Sequence, residues 1–290
     1  MLHTKLIVMS FIWASSYPLG RWLGIYGAAE TIVVSRVFIA FLFLLFVAKI
    51  RKEVAIPLNF TVCLQFLLLG FFGFCVHNFL MFEALEHTEA GKGAIINGAI
   101  PAIVMTLDFL IFRRRISQLS LLGVIMSFMG VLLVISDGQL SNLIYFQIGR
   151  GEVLFLIAIL GWSLYSIIAR PLLDLYAPIW VTTYSCVCGV ILMSPLLVSN
   201  FDTAFEMLQD PIIVLVLLAQ GILTMGLGFL WYYEGIKALG PVNASMYLNL
   251  VPVFGVILAF VSLGEIPSLV VVFGGIAVIS GVWLAGRKNA

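Results

Sequence analysis

Apolar residues run almost unbroken along this chain, in stretches interrupted by short groups of Pro, Gly and charged positions. A helix needs about 20 mainly apolar residues to cross about 30 Å of hydrocarbon. On that scale ten spans are predicted, near 5–24, 31–50, 62–82, 92–112, 119–136, 152–170, 180–198, 212–234, 242–263 and 268–286. The links are short: Lys49 to Pro57, Arg113-Arg114-Arg115, Ser136 to Arg150, Ser199 to Pro211, and Leu263 to Pro267. The runs are continuous rather than alternating, which excludes the strands of a membrane barrel. The pattern predicts an all-α membrane protein embedded in the lipid bilayer. Residues 5–24 lack a small-residue cleavage site and read as a retained first helix.

Composition narrows the classes. The chain is 62% apolar and 10% charged, against about 45–50% and about 25% in a soluble domain. A formal net charge of +1 supplies no field for steering nucleic acid, so no nucleic-acid partner is expected. Cys63, Cys75, Cys186 and Cys188 all fall inside apolar runs and read as small hydrophobes rather than as disulfide or metal ligands. With the N-terminus in the cytoplasm, the cytoplasmic ends carry Lys5, Lys49, Arg51, Lys52, Arg113, Arg114, Arg115, Arg170, Lys237, Arg287 and Lys288, whereas the outer ends carry Lys92 and Arg150, with Arg21 and Arg36 within or at the outer ends of spans. The positive-inside rule then places both termini in the cytoplasm of a plasma (inner) membrane protein.

The second half of the chain is a faint copy of the first. Shifted by 151 residues, Pro101 meets Pro252, Ser117 meets Ser268, Gly123 meets Gly274 and Gly130 meets Gly281. Near the start of each half Trp13 aligns with Trp162 and Arg21 with Arg170. Residues 1–138 and 139–290 are therefore expected to be two five-helix repeats. An odd number of spans turns the second copy upside down, and inverted repeats around a midplane site are the architecture of alternating access.

These features resemble the drug/metabolite transporter superfamily, EamA type. The resemblance covers essentially the whole chain and rests on the Trp-bearing first helix of each half (WASSY at 13–17, WSLYS at 162–166), the proline-centred fourth and ninth helices, and the Gly-rich fifth and tenth. The ninth helix ends in Gly264-Glu265, as is usual in the family, whereas the fourth departs from that pattern with Arg113-Arg114-Arg115. Within the superfamily the chain is similar to YddG-type amino-acid exporters. The resemblance implies a secondary transporter that exports neutral amino acids, aromatic and other apolar ones, or similar metabolites.

Depth selects the candidate site. Trp22, Trp180, Trp231 and Trp283 lie near span ends and suit an interfacial belt. Trp13 and Trp162 lie eight to ten residues into their helices, about 12–15 Å at 1.5 Å per residue, near the midplane. They line a cavity or pack between helices. Trp13, Ser16 and Tyr17 share one helical face, and Trp162 and Tyr165 repeat it. His77, Asn78, Asn97, Gln220, Tyr247 and Asn249 are further candidates for substrate contact, and Pro101 and Pro252 for gating flex points. For the amides and hydroxyls the alternative is interhelical hydrogen bonding worth roughly 1 kcal/mol or less each. His77 is a substrate contact, a proton-coupling group or a satisfied packing histidine.

Charge limits what the cavity accepts. Within the spans lie Arg36 and Asp108, each within a turn or two of an end and expected to snorkel or pair there. Asp108 has Arg113–Arg115 nearby, which suits a structural ion pair as well as an ion site. A cavity without fixed charge suits a neutral or zwitterionic small molecule, such as a neutral amino acid or metabolite, and neither a metal nor a phosphate. No cofactor and no catalytic group is expected. Ala90-Gly91-Lys92-Gly93 lacks the rest of a phosphate-binding loop, and His77 has no nucleophile at helical spacing, so the chain reads as a monomeric transporter and not an enzyme. The competing readings are an exporter of other small metabolites or drugs, such as sugars or polar solutes, and then an intramembrane enzyme or a channel.

Overall fold

The computed structural model describes residues 1–113, 117–139, 141–142, 148–197 and 201–286. Arg114, Arg115, Arg287 and Lys288, used above for orientation, lie outside the described residues. Among the described residues there are ten long helices. They are α1 (Leu2–Leu23), α2 (Ala29–Ile50), α3 (Phe60–Leu85), α4 (Ala90–Phe112), α5 (Gln118–Ile135), α6 (Arg150–Leu175), α7 (Pro178–Leu197), α8 (Pro211–Leu239), α9 (Pro241–Leu263) and α10 (Leu269–Gly286). A short helix, Phe201–Met207, joins α7 to α8. Among the described residues there is no strand. The helices α2 to α10 are long and apolar enough to cross a membrane. The 22-residue α1 matches them in length but carries Trp13, Ser16 and Tyr17, polar or ring-bearing residues that face the centre of the molecule. Exposed Phe38, Phe46, Leu64, Leu122 and Phe273 belong to an apolar outer surface suited to lipid.

Three helices outrun the apolar stretches that predict them. α3 ends at Leu85 rather than near 82, α6 at Leu175 rather than near 170, and α8 at Leu239 rather than near 234. Hydropathy falls at the first charged residue, but these charges are paired in place. Glu83 meets Arg150 at 2.7 Å, Glu234 meets Lys5 at 2.6 Å, and Arg170 faces Asp108 at 3.8 Å. Side-chain caps fix several helix starts: Asn59 accepts from the Val62 amide, Ser117 from Ser120 and Asp210 from Ile212. The ends of α4 and α9 are both left-handed, at Arg113 (φ 53°) and Gly264 (φ 69°).

Helix packing comes in exchanged pairs. α1 packs on α9 and α6 on α4; α2 packs on α8 and α7 on α3; α1 also meets α8, and α6 meets α3. Three pairs map onto themselves: α2 with α7, α4 with α9, and α5 with α10. The five-helix halves therefore embrace each other instead of standing side by side.

Interruptions of the helices match as well. α3 widens into π-type turns over Phe71–Asn78, and α8 does so over Gln220–Gly228. α4 breaks between its segments Ala90–Asn97 and Ile100–Phe112, and α9 passes through a 3₁₀ turn at Met246–Asn249. The breaks touch: a Cβ placed on Gly98 would lie 2.6 Å from the Pro252 ring.

The α5–α10 pair is held backbone to backbone. A Cβ on Gly130 would lie 2.7 Å from the Gly274 carbonyl oxygen, and one on Gly281 would lie 2.6 Å from that of Gly123. Ser120 adds a hydrogen bond to the Ala285 carbonyl at 2.8 Å. Small residues on both helices permit this approach, as in other membrane helix pairs.

Candidate functional site

A small central cavity lies where the two halves meet. Its walls come from α1 (Trp13, Ser16, Tyr17), α2 (Arg36), α3 (His77, Asn78, Met81), α4 (Asn97, Ile100), α6 (Trp162), α8 (Thr224, Met225, Phe229) and α9 (Leu248, Val251).

Aromatic rings form one side. The Trp13 and Trp162 rings stand edge to face with centroids 5.1 Å apart. Phe229 lies 5.0 Å from Trp162 and Tyr232 lies 5.2 Å from it, while His77 approaches to 4.7 Å. Such edge-to-face and tilted pairs contribute about 0.5–1.5 kcal/mol each beyond burial. The Trp13 indole N–H donates to the Thr224 carbonyl at 2.9 Å. That carbonyl belongs to the π-turn of α8, where the wide ladder leaves backbone acceptors for side chains. The other π-turn behaves alike, since Asn78 donates to the Gly73 carbonyl at 2.7 Å. His77 Nδ1 donates to the Ala158 carbonyl at 3.0 Å, which fixes that tautomer and leaves Nε2 as the ring's acceptor.

Of the eleven residues expected to contact substrate, seven come together here: Trp13, Ser16, Tyr17, His77, Asn78, Asn97 and Trp162. Tyr165 and Gln220 stand one layer behind. Tyr165 stacks between Trp162 and Tyr233, each 5.1 Å away, and Gln220 accepts a hydrogen bond from Ser16 at 3.2 Å. Tyr247 and Asn249 are elsewhere. They line a separate cleft with His3, Met246 and Trp283, where His3 bonds to the Tyr247 hydroxyl. Their expected placement assumed an unbroken α-helix. The 3₁₀ turn rotates each residue by about 120° instead of 100° and swings them away. Pro101 and Pro252 are buried just after the break of α4 and the 3₁₀ turn of α9.

Arg36 overturns the expectation of an uncharged cavity. Its residue exposure is 1%, and it does not reach an interface. Nη2 donates to Thr224 Oγ1 at 2.8 Å and to Ser16 Oγ at 3.4 Å, and the guanidinium lies 4.4 Å from the centre of the Phe82 ring. Snorkelling needs a path along lipid, whereas this face of α2 is covered by α8 and α3, with Ser16 of α1 against the guanidinium. The sequence held the signal, because an ionisable residue inside a span is by default functional. Thr224, Met225, Phe229 and Met81 gave no such signal, since each is ordinary in an apolar run.

Ionic contacts bracket the cavity. At the end where α1 finishes, Arg21 meets Glu265 at 3.0 Å, and Glu265 also accepts from the Ala90 and Gly91 amides at the start of α4. Lys92 bridges Asp137 (2.9 Å) and Glu152 (2.8 Å) at the same end. At the opposite end lie Lys5–Glu234 and Arg170–Asp108. Arg21 and Arg170, aligned in the two halves, each reach across to the end of the other half's fourth helix. Glu265→Gln is expected to speed amide exchange at Ala90 and Gly91 at least tenfold, read by hydrogen–deuterium exchange of that segment. Unchanged exchange would show that the carboxylate does not hold this helix end.

Fold and cavity together define a class: a polytopic helical membrane protein enclosing a small aromatic and polar chamber between two interlocked halves. The chain belongs to the EamA-like transporter family, whose model matches it twice, over residues 3–136 and 149–287. The uncharacterized transporter YyaM of Bacillus subtilis is 32% identical over 76% of this chain and 72% of its own. A probable terminal-alkyne amino-acid exporter of Streptantibioticus cattleyicolor is 25% identical over 98% of this chain and 93% of its own. A chain of known crystal structure shares the fold, with a TM-score of 0.66 and 16% identity over 98% of this chain and 95% of that one. The protein is a multi-pass membrane transporter of small metabolites.

Proposed function

We propose that this transporter exports neutral amino acids with aromatic or other apolar side chains, or closely similar metabolites, by alternating access around the central cavity. One observation carries the reading: Trp13 and Trp162, from equivalent helices of the two halves, face each other at 5.1 Å in a chamber that both halves wall. A solute held there contacts both halves, so rocking one against the other moves its access from one side of the membrane to the other. Aromatic faces suit an apolar side chain, and buried amide and hydroxyl groups suit the polar end of an amino acid. The S. cattleyicolor relative, named as a probable amino-acid exporter, leans the same way. Both termini are placed in the cytoplasm of the inner membrane, so that the Arg21–Glu265 end faces outward, and the working unit is a monomer. The narrower likeness to YddG-type exporters belongs to this same reading.

The test is uptake of labelled leucine and phenylalanine into proteoliposomes containing the purified chain, with and without a pH gradient. Saturable uptake above empty liposomes is expected. Its absence in folded protein would overturn the amino-acid reading.

The interrupted helices α4 and α9 are the moving parts in this scheme. Pro101→Ala and Pro252→Ala are each expected to slow maximal uptake several-fold with little change in half-saturation, because they stiffen the helix without touching the chamber. Unchanged rates in both would remove the prolines from the gating step.

A further inference from the structure

We propose that Arg36 is the carboxylate receptor of the cavity, so that the chamber selects monocarboxylates and rejects their amides and decarboxylated amines. This rests on the transport reading above and names the chemistry of its substrate.

The argument starts from the charge itself. A guanidinium keeps its proton in proteins, and a buried ion is strongly destabilising unless it is paired and hydrogen-bonded. Arg36 is buried at the cavity wall, yet among the described residues no Asp or Glu lies within 4.0 Å of it. Every Asp and Glu of the chain lies within the described residues. Nη2 is used by Thr224 and Ser16, both neutral. Nε and Nη1 are buried and have no hydrogen-bond partner. The protein thus holds a cation in place, supports it with two hydroxyls and a ring face, and leaves its donors unused.

Two neighbouring groups restrict the anion further. Tyr17 and Asn97 also line the cavity, and the Tyr17 hydroxyl and the Asn97 side-chain oxygen are buried without a partner. The hydroxyl is a second donor for a carboxylate. The Asn97 oxygen is an acceptor, which suits an ammonium N–H and disfavours an anion rich in oxygens. A phosphate dianion would leave net negative charge in the chamber, because among the described residues Arg36 is the one fixed charge lining it. An amine without a carboxylate would meet the guanidinium as a like charge. A carboxylate beside an ammonium, with an apolar side chain toward Trp13, Trp162 and Phe229, satisfies each group in turn.

The experiment is ligand-induced thermal stabilisation of the purified full chain by four compounds that share a benzyl group: L-phenylalanine, L-phenylalaninamide, phenethylamine and phenylacetate. Phenylalanine and phenylacetate are expected to act at concentrations at least tenfold lower than the amide and the amine. Arg36→Gln is expected to erase that preference, and Arg36→Lys to keep part of it. The wild-type comparison carries the test even where Arg36→Gln does not fold. An amide or amine as effective as the acid on the wild-type protein overturns the proposal and leaves amino-acid transport standing. Stabilisation by the two acids in protein that moves no amino acid supports the receptor and overturns the transport reading. No stabilisation by any of the four overturns the receptor.

Discussion

Trp162→Ala is expected to reduce saturable amino-acid uptake by at least tenfold in proteoliposomes. Trp162 is 2% exposed and lies among Trp13, His77, Tyr165, Phe229 and Tyr232, with ring centroids 4.7–5.2 Å away. Removing the indole deletes all five contacts and opens a void that its neighbours fill by leaning inward. Truncations of this size in a packed interior cost about 3–5 kcal/mol, and here the loss falls on the chamber wall. Trp162→Phe keeps a ring at the same place and is expected to retain a measurable fraction of uptake. Trp283→Ala is the control, since that side chain is 60% exposed on α10 and is expected to transport as the parent does. Trp162→Ala with normal uptake would move the transport site elsewhere.

Gly281→Leu should produce the second large loss, in stability rather than in binding. A Cβ on Gly281 would already press against the Gly123 carbonyl and the Ser127 backbone, and none of these atoms belongs to a flexible side chain that can yield. The helices must separate, which breaks the α5–α10 contact along with the Ser120–Ala285 bond. Overpacking typically costs about 1–3 kcal/mol and occasionally more, and a backbone-to-backbone seam belongs at the upper end. At that end a fall in Tm of about 6–12 °C is expected, measured by thermal unfolding of the detergent-solubilised protein. Ile276→Leu, on the lipid-facing side of the same helix at 55% exposed, is expected to change Tm little. A Gly281→Leu protein that melts with the parent would show that the seam is not closely packed.

Hydropathy alone made the number and order of the helices legible, because each span must satisfy its own backbone in lipid and does so over a fixed length. Depth along the helix picked out Trp13 and Trp162, and helical spacing added Ser16 and Tyr17. What the sequence hid was local geometry. Phe71–Asn78 and Gln220–Gly228 read as ordinary apolar helix, since nothing in side-chain hydrophobicity reports a widened hydrogen-bond ladder. Thr224 therefore went unnoticed, although its carbonyl and hydroxyl hold Trp13 and Arg36. Tyr247 and Asn249 lie away from the cavity for the same kind of reason, a local change of helical pitch. Arg36 departs from its expected place because distance along a helix says how far a side chain is from an interface, and not which neighbour covers it.

The α5–α10 seam has a consequence for how motion in this molecule is measured. Two helices whose backbones touch at Gly123, Gly130, Gly274 and Gly281 cannot slide past one another without lifting apart. One helix comes from each half, so the seam ties the halves together at a fixed line while their other surfaces turn about it. Spectroscopic labels on its lipid-facing side, at Leu121 and Ile276, then serve as a stationary reference. Distances from that frame to labels on α1 or α6 become absolute displacements, and the sign of each change tells which mouth has opened.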